Sequence, residues 1–160
     1  MNAEPRREHR WLDRLVGEWS IETEGIMGPD QPPVKSRGDE VVRSVGGLWT
    51  VAEGQGEMPG SGNTMKSIMT LGFDPRSGRF VGTFIASMMT HLWVYSGSLD
   101  AAERVLTLDV EGPDFTGQKT AKYRDCIEFD DDDHRIMTSR VLGDDGNWLE
   151  FMTAHYHRRT

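Results

Sequence analysis

Trp11-Leu12-Asp13-Arg14-Leu15-Val16-Gly17-Glu18-Trp19-Ser20-Ile21-Glu22 is a stretch in which the period of the apolar residues changes partway. Before Gly17, the residues Trp11, Leu12, Leu15 and Val16 recur at helical spacing with charged residues between them. This predicts a helix over Arg6–Val16. Gly17 stops it, as a glycine just past the last apolar turn does. After Gly17 the period is two: Trp19 and Ile21 share one face, and Glu18, Glu22 and Glu24 share the other. A short helix runs directly into a strand.

The rest of the chain keeps the shorter period. Strands are predicted at Glu18–Met27, Asp39–Val45, Leu48–Gly56, Thr64–Phe73, Arg79–Met88, Leu92–Leu99, Arg104–Glu111, Thr120–Phe129, Arg135–Leu142 and Trp148–Arg158. Turn residues punctuate them: Gly46-Gly47, Asp74-Pro75-Arg76-Ser77-Gly78 and Asp144-Asp145-Gly146-Asn147. Longer loops are expected at residues 28–33, 58–62 and 112–114. In the seventh strand Leu106, Leu108 and Val110 oppose Thr107, Asp109 and Glu111, so one face is wet. In the tenth, Met152, Ala154 and Tyr156 oppose Thr153, His155 and His157. The fifth strand does not declare its inside, because Phe80, Gly82, Phe84 and Ala86 and the opposite set Val81, Thr83 and Ile85 are both apolar.

About ten strands joined by hairpins expose two long edges unless the sheet closes. The expected fold is therefore all-β: a single antiparallel up-and-down β-barrel of about ten strands with a short N-terminal helix. It is expected to be one domain over residues 1–160, with 1–8 as a disordered tail. A barrel of more than about eight strands has room for a small ligand.

Composition narrows the function classes. Leu, Val, Ile and Phe together number 33 of 160, which is low, but 9 Met, 5 Trp and 3 Tyr supply further large apolar side chains. The net charge of −8 argues against non-specific nucleic-acid binding. No apolar run is long enough to span a bilayer, and the first ten residues lack an apolar signal core. Cys126 is the only cysteine, so no internal disulfide forms. Cytoplasmic residence is the expectation.

Leu12-Asp13-Arg14-Leu15-Val16-Gly17-Glu18-Trp19, Met27-Gly28-Pro29, Gly46-Gly47-Leu48-Trp49, Gly72-Phe73-Asp74-Pro75, Val81-Gly82-Thr83, Ser87-Met88 and Tyr156-His157-Arg158 occur in this order. Together they resemble an uncharacterised bacterial family, a domain of unknown function, whose members are similar to calycin barrels: lipocalins, fatty-acid-binding proteins and nitrobindin-like proteins. The resemblance implies a barrel and no particular reaction. It also implies a structural signature: Gly17 and Trp19 on the first strand, covered by a basic residue of the last strand. Arg158 is the candidate, with Arg159 as alternate. An indole face attracts a guanidinium by cation–π contact.

Among residues that carry chemistry, His91 lies between two apolar strands and is a candidate acid/base or orienting group. By resemblance to nitrobindin-like barrels it is also a candidate haem ligand. Its bland reading is a loop histidine bonded to backbone. Glu53, Thr70, Ser87, Tyr95, Arg124 and Ser139 are polar strand residues that could reach a cavity. Arg124 could pair with Glu53 or take a ligand carboxylate, as an arginine does in fatty-acid-binding proteins. Met88 and other methionines could line a soft pocket. His155 and His157 share a face, expected outward, and begin a metal site without completing one. Asp130–Asp133 lacks the glycine of a calcium loop and reads as a turn.

No nucleophile elbow, P-loop, Rossmann or HExxH pattern is present. The favoured function is therefore a non-enzymatic binder of a small hydrophobic or amphipathic ligand, with His91, Tyr95, Glu53, Arg124, Ser87 and Met88 as ligand-binding residues. No metal and no cofactor are expected. The alternatives are an enzyme with His91 as acid/base and haem binding through His91. A homodimer is a further expectation if Trp93 or Trp148 faces outward.

Overall fold

The computed structural model describes residues 2–26, 31–58 and 61–159. The expected Met27 strand end and Met27-Gly28-Pro29 motif, and part of the 28–33 and 58–62 loops, lie outside the described residues. Helix α1 (Arg7–Asp13) is followed by β1 (Gly17–Gly25), β2 (Val34–Val45), β3 (Trp49–Glu57), β4 (Thr64–Asp74), β5 (Arg79–Ala86), β6 (Trp93–Leu99), β7 (Val105–Pro113), β8 (Thr120–Asp131), β9 (His134–Leu142) and β10 (Trp148–Arg158). Each strand pairs antiparallel with the next, and β10 returns to β1 to close the barrel. The closing ladder runs from Trp19 opposite Arg158 to Gly25 opposite Met152.

The largest departures from the sequence expectation lie in α1 and β2. The helix ends at Asp13 because the chain tightens there. Arg14, Leu15 and Val16 donate to the carbonyls of Trp11, Leu12 and Asp13, three residues back. It begins at Arg7, inside the expected tail, and Arg7 meets Glu103 at 2.9 Å. Strand β2 starts at Val34, not Asp39. Val34-Lys35-Ser36-Arg37 carries little apolar signal, but closure requires a partner for all of β1, and Gly25 pairs with Val34.

The helix lies across one end of the barrel. His9, Trp11, Leu12 and Leu15 are buried against it. Trp11 Nε1 donates to the Glu103 carbonyl at 2.7 Å, and a His9 ring nitrogen sits 3.1 Å from the Phe73 carbonyl. The closed end is then locked by one arginine. Trp19 is fully buried and donates its Nε1–H to the Leu15 carbonyl at 2.8 Å. Arg158 lies over the indole, its Cζ 4.2 Å from the ring centroid. Its guanidinium donates to the carbonyls of Val16 (2.7 Å), Arg14 (2.8 Å) and Asp132 (3.0 Å), and meets the Asp133 carboxylate at 3.2 Å. The acidic turn thus holds Arg158. Gly17 has φ of 139°, and a Cβ there would stand 2.5 Å from Arg158 Nη1, so only glycine fits.

Removing Arg158 leaves buried helix-end carbonyls without donors. Arg158→Ala is expected to lower the unfolding free energy by about 2–4 kcal/mol, measured by urea denaturation. Arg158→Lys should recover less than half of that, because one ammonium cannot reach all four acceptors. A loss near zero for the alanine variant would show that the contact contributes nothing.

Candidate functional site

Alternate residues of every strand face inward, and their exposure grades along the barrel axis. Near the helix Trp19, Val42, Leu71, Phe80, Leu106, Leu108, Ile127 and Phe129 are buried. Toward the other end Thr23, Ser36, Gly54, Gly56, Ser67, Phe84, Trp93 and Met152 are only half-buried. The barrel is therefore a cup, filled at the helix end and open at the other.

The filled half has a polar centre. Arg135 forms an ion pair with Glu40 inside the barrel. Its guanidinium is sandwiched between Tyr156, 3.9 Å from the ring centroid, and Trp19, 4.7 Å away. Beside them is a cavity of about 20 Å³, lined among others by Leu15, Thr50, Met69 and Met137, which is room for about one water molecule. Burial pushes the Tyr156 hydroxyl far above its ordinary value, and the Glu40 charge adds to this.

A second polar group sits above it. Tyr95 Oη donates to Asp125 Oδ2 at 2.7 Å, and Ser139 bonds to the same carboxyl. Burial raises the Asp125 carboxyl above the usual carboxylate range; the bonds from Ser139 and Tyr95 oppose that shift. Burial also pushes the Tyr95 hydroxyl well up, and the Asp125 charge reinforces it.

The open half has two unlike walls. One is aromatic. Trp93 and Tyr123 meet edge to face at 5.1 Å between centroids, and His91 packs on the edge of Trp93 from the outer groove at 4.7 Å. Tyr123 continues to Phe151 at 6.0 Å, and Phe151 to Phe115 at 5.2 Å. Trp93 Nε1 is buried here without a hydrogen-bond partner. The other wall turns sharply through Gly38, Gly54 and Gly56. A Cβ at Gly38 would stand 2.6 Å from the Gln55 carbonyl oxygen, and one at Gly54 2.7 Å from Ser67 Oγ. These glycines let neighbouring strands approach and put no side chain into the cup.

Mostly on the outside lies a groove of about 720 Å³, lined by His91, Leu92, Val94, Leu142 and Trp148 with Asp109, Glu111, Lys122 and Arg124, and reaching Val110 and Tyr123. It runs beside a shortened ladder, where β6 and β7 pair only from Ser96–Asp109 to Leu99–Leu106. His91 bridges the strands beyond that point, one ring nitrogen 3.1 Å from the Glu111 carbonyl.

The sequence-named residues divide between these places. Tyr95 and Ser139 face the interior. His91 and Arg124 both line the outer groove. Arg124 does not pair with Glu53. It bonds Asp109 at 2.9 Å and stacks on Trp148 at 4.4 Å. Glu53 is exposed on the outer face, 3.6 Å from Arg43. Thr70 bonds Thr83 on the outer face. Ser87 and Met88 are exposed in the β5–β6 turn, where Ser87 Oγ accepts from the Lys66 amide. Period two explains the split, since each strand alternates sides. Trp148 faces outward and Trp93 inward. Of the two His91 ring nitrogens, Nε2 is the one engaged by the Glu111 carbonyl. Asp125, Glu40 and Arg135 were missed. A signal existed, because Asp125 shares parity with Tyr123 and Ile127, Glu40 with Val42, and Arg135 with Met137.

The raised Asp125 carboxyl has a pH signature. In the fold it holds a proton at pH values where the unfolded chain has lost it, so its contribution is greatest below the unfolded value of about 3.9 and is lost as pH rises through the folded value. The stability advantage of the native chain over Asp125→Asn should therefore be larger at pH about 4 than at pH about 8. Paired urea titrations measure this; a gap that is flat or grows toward pH 8 rejects it.

Against known proteins, the fold recurs widely at low identity. The chain is similar to Rv2717c from M. tuberculosis (TM-score 0.65, 16% identity, 98% of this chain and 100% of that one). It is also similar to the S-type phycobiliprotein lyase CPES from Guillardia theta (TM-score 0.64, 13% identity, 96% and 93%). EF1p2_mFAP2b, in a structure bound to DFHBI, aligns with a TM-score of 0.51 at 14% identity over 94% and 98%. These likenesses establish the barrel. No protein with a curated description matches. Among the described residues no helix is long and apolar enough to cross a membrane. A family model described as "Protein of unknown function (DUF1579)" matches residues 4–158, and the chain belongs to that family.

Proposed function

We propose that the protein is a non-enzymatic binder of a small hydrophobic or amphipathic ligand, held in the open half of the barrel. The observation that carries this reading is Trp93. Its Nε1–H is buried in the cup without a partner, and such a donor costs about 1–3 kcal/mol unless something accepts from it. A ligand with one acceptor and an apolar body would supply what is missing once the His91 and Tyr123 rings packed on Trp93 shift to admit the acceptor. The body would lie against Phe84, Met65 and Met152, beside the glycine wall, and Tyr95 would stand at the floor. Ligand sites are mostly apolar with a few placed polar groups, as this cup is.

The comparisons support the reading by analogy of fold alone: one similar barrel is named as a lyase and another is bound to DFHBI. His91 and Arg124 belong to this reading as groups at the outer groove beside the mouth, not as lining of the cup. Ser87 and Met88 stand at its rim, and Glu53 has no part in it. An acid/base role for His91 would fall to Nδ1, because Nε2 bonds the Glu111 carbonyl. Cytoplasmic residence, a single domain and no nucleic-acid partner go with the reading. A homodimer through the outer apolar residues Leu92, Val94 and Trp148 goes with it as well.

Native mass spectrometry of protein purified from its own host should show a retained small molecule. Trp93→Phe should weaken that molecule's rebinding about fivefold to tenfold, the value of one hydrogen bond. Protein that carries nothing, and whose tryptophan fluorescence ignores a panel of medium-chain carboxylic acids and alcohols, would overturn the proposal.

A further inference from the structure

The outer wall at the β9–β10 end carries histidine chemistry that the ligand cup does not use. His134, at the start of β9, stands directly opposite His157 of β10 and diagonal to His155. The three rings are stacked: His134 and His157 at 4.7 Å and 2° between planes, His134 and His155 at 5.2 Å and 16°. His134 Nε2 and His155 Nδ1 are 3.0 Å apart. Asp130 Oδ2 lies 3.2 Å from the other nitrogen of His134, Nδ1. Glu22 of β1 is the register partner of His155 on its far side.

We propose that His134 and His155, backed by Asp130 and flanked by His157, form a site for one divalent late transition ion such as Zn2+ on the outside of the barrel. The spacing carries the argument. Two nitrogens that bind one zinc ion at about 2.0–2.1 Å with a tetrahedral angle stand about 3.4 Å apart. The pair at 3.0 Å is already close to that bite. Asp130 accepts from Nδ1–H of His134, which leaves the Nε2 lone pair facing His155. Carboxylate backing of this kind orients metal-binding imidazoles and raises their basicity. Without metal, His155 fills the gap by donating Nδ1–H to that lone pair. With metal, the ion takes the place of that proton, and His155 carries its one proton on Nε2 instead. Charge and proton count balance, since both imidazoles stay neutral. Among the described residues no three donors already converge on one point. The site is thus a two-nitrogen chelate completed by water, with Glu22 and His157 within one strand spacing as further ligands.

The test is calorimetric titration of ZnCl2 into untagged, EDTA-treated protein. One ion per chain is expected, with a dissociation constant in the micromolar range. His134→Gln and His155→Gln should each weaken binding at least tenfold, Asp130→Asn several-fold, and His157→Gln least. All four lie on the outer face, and thermal melts verify that each variant folds. In the unsubstituted protein, zinc should shift or broaden the ring proton signals of His134 and His155 in NMR spectra and leave those of His9 and His91 in place. Absence of saturable binding, unchanged affinity in the His134→Gln/His155→Gln double variant, or signal changes confined to His9 or His91 would each overturn the proposal.

Discussion

Closure of the barrel depends on a column of alternating cation and ring: Arg158 over Trp19, Trp19 against Arg135, Arg135 against Tyr156. Three of its four members lie on the two strands that must find each other last, β1 and β10. Their register, Trp19 opposite Arg158 and Ile21 opposite Tyr156, is what the column fixes. A meander of hairpins forms its neighbouring ladders from local contacts, but the first and last strands meet across the whole chain. Burying a guanidinium there is costly unless its donors are satisfied and its face is covered. Arg158 answers that cost with three carbonyls and a carboxylate, whereas Arg135 answers it only in part, with Glu40 and two aromatic faces, its Nε being buried without a partner.

The same column divides the interior. Below it, helix α1 and the aromatics Trp11, Phe80 and Phe129 fill the end, with Trp11 packed edge to face on both rings at 6.4 and 5.4 Å. Above it, Tyr95, Asp125 and Ser139 form a polar floor, and from there the walls diverge into glycine on one side and aromatic rings on the other. Rigidity at one end and an open, mixed lining at the other follow from where the large side chains run out along the strands.

The architecture was legible because its signals are local and periodic. The change of period at Gly17, the hairpin turns and the wet face of β7 each announce themselves within a few residues. The contact of Arg158 with β1 was implied by the resemblance of Gly17-Glu18-Trp19 to the start of calycin barrels. What the strand pattern conveyed poorly was side. Glu53 and Arg124 look like cavity groups in a list of polar strand residues, yet their parity with Val51 and Lys122 puts them outside. Asp125 is hard to read because an aspartate between Tyr123 and Ile127 looks like an error in an apolar face, and such an error is what a buried functional group looks like. His134 was hidden by the acidic run before it. Its nearness to His155 and His157 exists only through the β9–β10 register.

Two irregularities govern that sidedness. The β8–β9 register shifts between Phe129 and Asp131, and the β9–β10 register between Glu150 and Met152. Upstream of the second shift Trp148 and Glu150 point outward, and downstream of it Met152, Ala154 and Tyr156 point inward. The bulge therefore reverses which numbers face the cup, with Phe151 at the reversal packed on Tyr123 and Phe115. Because a slip of one residue exchanges the two faces of a strand, this bulge keeps Tyr156 on Arg135 while His155 and His157 stay outside with His134. Interior packing and exterior histidine chemistry are thus set by one register, and neither can be moved without moving the other.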